Sequence, residues 1–168
     1  MESKMIHPSQ HISVSDRGEI ERFTEDLNKQ EPLQVVITSH IRLEAWIAKL
    51  IEINLPNPKD FNWDMGFMDK LDLAIAMNLV PRGLRPACKQ FNKIRNNLAH
   101  ALNKPVSFEE ARNLWNAIPK EIRTGIGSSS AKPLDVMRDC VVSLWRMFRF
   151  LYKDRLSKSE IKNLGNLF

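Results

Sequence analysis

A chain of 168 residues, 43% hydrophobic and 27% charged, has the composition of a globular protein and the length of one ordinary domain. It can bury a core without disulfides or structural metals, and its net charge of +5 fits either a polyanionic partner, RNA first among them, or a solvated basic surface. No stretch approaches the ~18 consecutive apolar residues of a membrane helix, and Met1-Glu2-Ser3-Lys4 lacks a signal peptide's apolar run, which predicts a cytoplasmic protein.

Residues 1–15 are polar, contain Pro8 and show no period, which predicts a flexible N-terminal arm ahead of a single domain over 16–168. Asp16 is placed to cap a helix starting near Arg17, with Ile20, Phe23 and Leu27 at helical spacing. Pro32 suits the first turn of a longer helix, about 32–54, whose apolar face holds Leu33, Val36, Ile37, Ile41, Leu43, Ile47, Leu50 and Ile51. Pro56 and Pro58 stop it, and Asn57 to Gly66 reads as a loop.

A short helix is predicted from Phe67 to Leu79, with Met68, Leu71, Ile75 and Leu79 inward, before the break at Pro81-Arg82-Gly83. The next helix, Leu84 to about Leu102, aligns Leu84, Cys88, Phe91, Ile94 (or Arg95), Leu98 and Ala101 on one stripe, with Pro86 tolerated in its first turn. Ser107 followed by Glu110 has capping-box spacing and announces a helix over 108–118. Thr124 to Pro133, with Gly125, Gly127 and three serines, reads as a flexible connector. A last long helix, Leu134 to about Leu156, buries Leu134, Met137, Val141, Leu144, Trp145, Phe148 and Leu151. Ser157 and Glu160 repeat the capping pattern and predict a separate short tail helix. No strand-like alternation appears, so the fold class is all-α, a bundle of about five or six helices.

Cys88 and Cys140 each sit in apolar surroundings without metal-ligand neighbours, so reduced core thiols are expected. His7 and His11, four apart, lie in the arm and make a weak metal pair, and no cofactor motif is present. Trp46 and Trp145 read as core, whereas Trp63, in a loop, is the better contact residue. His40 falls near the apolar stripe of its helix and reads as a satisfied core histidine. The arginines of the last helix (Arg138, Arg146, Arg149, Arg155) fit either a phosphate track or a solvated face.

The segment Arg95-Asn96-Asn97-Leu98-Ala99-His100 carries the most chemistry. An imidazole titrates near neutrality and can take and return protons. A guanidinium presents five donors matched to phosphate oxygens. Asn96 can orient either group. Phosphodiester cleavage at a ribose 2′-hydroxyl needs a base and a cation for the developing charge, and no metal. Five positions on an ideal helix leave Arg95 and His100 about 140° apart, so the helix must distort, its end must fray, or a second subunit must close the gap. The bland reading is that Arg95 pairs with Asp69 or Asp72 and His100 merely ends its helix.

Lys93-Ile94-Arg95-Asn96 through His100 resembles the R-x4-6-H signature of the HEPN superfamily, where the residue after Arg is usually polar. Lys70-Leu71-Asp72-Leu73-Ala74 with Asn78-Leu79-Val80 is similar to its mannitol operon repressor (MltR)-like branch. The HEPN resemblance implies a helical homodimer formed through the motif helices, and metal-independent endoribonuclease activity of the toxin or defence kind. Arg95 and His100 would then be catalytic and Asn96 supporting, with any antitoxin or regulatory partner a separate chain. The MltR-like branch implies a non-catalytic transcriptional regulator acting through protein or nucleic-acid binding. A structural helical dimer with a degenerate site is the third reading.

Overall fold

The computed structural model describes residues 14–100, 105–125 and 132–165. Among them are six α-helices and no strand: α1 (Val14–Asn28), α2 (Pro32–Glu52), α3 (Phe67–Ala76), α4 (Arg85–His100), α5 (Phe108–Ala117) and α6 (Pro133–Gly165), joined in places by single 3-10 turns. The expected all-α bundle is what forms. No helix is long and apolar enough to cross a membrane among the described residues. The N-terminal arm over 1–13, His7 and His11, Ala101 and Leu102, and most of the serine-rich connector lie outside the described residues.

Local chemistry sets most of the boundaries. Pro32 occupies the first turn of α2, and Gln34 Oε1 accepts from the Glu31 backbone N–H at 3.3 Å. Ser107 Oγ accepts from Glu110 N–H at 3.1 Å while Glu110 Oε2 accepts from Ser107 N–H at 3.0 Å, so the box predicted for α5 is closed. The expected Asp16 cap does not occur: α1 already runs from Val14, and Asp16 falls in its first turn.

Helix α3 ends three residues sooner than its apolar period suggests. Asn78 adopts φ +56°, Leu79 N–H reaches Ala74 O at 2.9 Å and Asn78 N–H reaches Ile75 O at 3.0 Å, a Schellman closure with asparagine in the left-handed position. Leu79 is buried beyond the helix, and the inward face of α3 is Phe67, Leu71 and Ala74, with Met68 and Ile75 half-buried.

Helix α6 is the centre of the bundle and packs against α1, α2 and α5. Val136, Met137, Cys140, Val141, Val142, Leu144, Trp145, Met147 and Phe148 are all buried, so it is covered almost all round rather than along the single stripe expected. It also continues unbroken to Gly165. Ser157 does not cap a tail helix: its hydroxyl donates back to Asp154 O at 3.0 Å, and the chain stays helical through it.

Candidate functional site

Two depressions flank α4, and the polar residues of that helix divide between them. Ala87, Cys88, Phe91, Ile94 and Leu98 are buried and fix the helix's rotation. Arg85, Lys89, Lys93, Asn96 and His100 follow one another at intervals of four, four, three and four, which is one solvent-facing stripe. Arg95 lies off that stripe, toward α2 and α3.

Arg95 and Asn96 line a cleft of about 380 Å³ with His40 and Glu44 of α2, Asn92 of α4, and the start of α3, Gly66 to Asp69. Arg95 Nη1 donates to Asn96 Oδ1 at 2.9 Å. Among the described residues Arg95 has no carboxylate partner. Asp72, one of the two acids weighed for it, instead accepts two bonds from Arg85, at 2.6 and 2.8 Å, and is held below the usual carboxylate range by them. Asp69, the other, lines the same cleft. Glu44 is engaged by Lys70 Nζ at 2.7 Å.

The cleft also holds a group that the motif did not flag. His40 is buried as expected, but it faces the candidate arginine. Its Nε2 lies 3.0 Å from Asn92 Oδ1, so the ring carries its proton on Nε2, and Nδ1 is 3.9 Å from Glu44, too far for a hydrogen bond. Phe67 packs on the ring at 4.4 Å between centroids. Burial pushes its pKa below the ordinary histidine value, the nearby Arg95 charge lowers it further, and Asn92 and Glu44 oppose both. His40/Glu44 and Asn92/Asn96 are each i,i+4 pairs on facing helices, the one signal in the sequence that could have exposed this cluster.

The imidazole takes its proton less readily folded than unfolded, so the unfolded chain binds more protons between the two pKa values. Stability is therefore highest above the unfolded value of about 6.5 and falls as pH drops from there toward the folded value. Urea midpoints measured from pH 7.5 to 5 should decline for the wild type, and His40→Gln should flatten that slope. Equal slopes would mean that His40 is not the group responsible.

His100 is the last residue of α4 and is exposed, lining neither depression. Within one chain the structure brings Arg95 together with Asn96, and His100, on the Asn96 stripe, faces away from Arg95.

The second depression is a groove of about 830 Å³ beside the α4 stripe. It is lined by Arg85, Lys89, Lys93, four carboxamides (Gln90, Asn92, Asn96 and Asn97), Met68, Pro86 and Ala117. Asn92, Asn96 and Met68 belong to both depressions and form the wall between them.

Most of the other residues named for contact are occupied, but the half-buried Arg146 has an Nε with no hydrogen-bond partner. Arg138 donates to Leu27 O at 3.1 Å and to Gln30 O at 3.1 Å, satisfying carbonyls at the end of α1. Arg149 is buried against Glu19 at 2.6 Å, and Arg155 donates to Asn78 O at 2.6 Å. Arg138, Arg149 and Arg155 thus tie α6 to neighbouring segments. Trp63 is half-buried, donates to Pro58 O at 3.2 Å and meets Phe61 edge-on. Trp145 stacks on Phe23 in the core, and Trp46 packs between Trp145 and Tyr152. Both cysteines are free and buried, and burial pushes the Cys88 thiol up to about 12, which removes it as a nucleophile at neutral pH.

Set beside family profiles, curated proteins and solved structures, the chain matches none of them.

Proposed function

We propose that this chain is a HEPN-like, metal-independent endoribonuclease that acts as a homodimer, with Arg95, Asn96 and His100 as its working residues. The observation that carries the reading is the setting of two side chains. Among the described residues no carboxylate pairs with Arg95 in its cleft, and His100 stands exposed on the polar stripe of α4. An arginine locked in an internal ion pair, or a buried and satisfied histidine, would have opposed it.

In the proposed step His100 takes the proton of a ribose 2′-hydroxyl as that oxygen bonds to the adjacent phosphorus. The bond to the 5′-oxygen breaks, a cyclic 2′,3′-phosphate remains, and the departing oxygen takes up a proton from water. Arg95 neutralises the charge that grows on the phosphate oxygens, and Asn96 holds the guanidinium in place. Because the two groups face apart within one chain, the partner subunit's motif helix must complete the site.

Incubation of the pure protein with mixed RNA in EDTA should release fragments ending in cyclic phosphate, while the His100→Ala protein should not. Cleavage that persists in that variant would overturn the assignment. The separation of Arg95 from His100 within a single chain also favours a second reading, an MltR-like regulator that binds without cutting. A wild-type protein that retains RNA but yields no fragments would point there.

A further inference from the structure

We propose that the groove along α4 is the track for a single RNA strand, whose phosphates are met by Lys89 and Lys93. This deepens the ribonuclease reading and rests on it, adding where the strand lies outside the cleaved bond.

Of the residues that line the groove three are cationic, four are carboxamides and none is acidic. Arg85 is already paired with Asp72 through two bonds, and Asn97 is engaged from outside by Glu110 at 3.1 Å. Lys89 and Lys93 are exposed and, among the described residues, have no acidic partner. Two uncompensated ammonium groups one turn apart, above a recessed floor, suit a row of phosphates. The neighbouring cleft carries Glu44 and Asp69 beside its one arginine, so a row of phosphates is better matched to the groove, and only the phosphate under attack meets Arg95.

Lys89 and His100 share one stripe and are eleven residues apart, about 16 Å along the axis. A strand anchored at the lysines and lying along the stripe therefore passes Asn96 and arrives at the imidazole. The carboxamides can hydrogen-bond 2′-hydroxyls or base edges along that path. No aromatic ring lines the groove, so binding should be sequence-tolerant and strongly dependent on salt rather than driven by stacking.

The test uses the full chain carrying His100→Ala, so that the probe is not consumed, and a fluorescent oligouridylate of about twelve nucleotides. Lys89→Glu with Lys93→Glu should weaken binding tenfold or more at about 50 mM salt. It should also reduce the slope of log affinity against log salt by about 1.4, roughly 0.7 for each lost phosphate contact on a single strand. Lys29→Glu with Lys59→Glu, two exposed reversals lining neither depression, makes the same change in net charge and is the control, and thermal melts establish that both double variants are folded. Affinity within twofold of that control, or an unchanged slope, would overturn the track. So would tighter binding of a duplex of equal length. The two proposals fail separately. Lysine-dependent binding without cleavage by the wild-type protein would remove only the nuclease. Undiminished cleavage by a Lys89→Glu, Lys93→Glu protein with His100 intact would remove only the track.

Discussion

Mixing Arg95→Ala protein with His100→Ala protein, each inactive alone, is expected to restore about a quarter of wild-type RNA cleavage after subunit exchange. In a symmetric dimer whose site takes Arg95 from one chain and His100 from the other, each single variant damages both sites. Random exchange makes about half of the dimers heterodimers, and each of these carries one site with neither lesion. Either variant alone should lose about 10²- to 10⁴-fold in rate, the usual range for removing a proton-transfer group, with a comparable loss for a group that stabilises developing charge. The expectation rests on position: Arg95 faces α2 and α3 across its cleft, whereas His100 stands on the solvent stripe at the helix end. Exchange shown by mass spectrometry without recovered activity would mean that the dimer site is wrong.

Phe91→Ala should produce the largest loss of stability, about 3–5 kcal/mol, read from urea unfolding. The ring is wholly buried on the inner face of α4 and lies 6.0 Å from the His40 ring between centroids. Its removal takes away apolar contact and leaves a hole that the surrounding helices close only in part. Against a typical total of about 5–15 kcal/mol, that is enough to populate unfolded chains. Because Phe91, Ile94 and Leu98 set the rotation of α4, the same variant should also loosen the wall shared by the cleft and the groove. A loss below about 1 kcal/mol would show that this helix is not held by its apolar stripe. Phe91→Leu, which keeps much of the volume, should cost far less.

Read by itself, the sequence determined what depends on neighbours a few positions away. The helical periods, Pro32 in a first turn, the Ser107–Glu110 box and the stripe from Leu84 to Leu98 are all local, because backbone geometry repeats every 3.6 residues. Local signals misled where two local rules competed. Asn78 closed α3 although the apolar period ran on, and Ser157 turned its hydroxyl back on the helix instead of starting a new one.

Only the tertiary structure decided which groups meet. His40 and Asn92 are separated by 52 positions, and Arg138 and Leu27 by 111, yet each pair is hydrogen-bonded. Both contacts exist because burying apolar faces brings distant helices together, and a buried or half-buried donor must then find whatever acceptor that packing supplies. The same packing turned Arg95 toward α2 and left Lys89, Lys93 and His100 facing water, since each residue advances about 100° around the helix and only the buried stripe fixes which side is in.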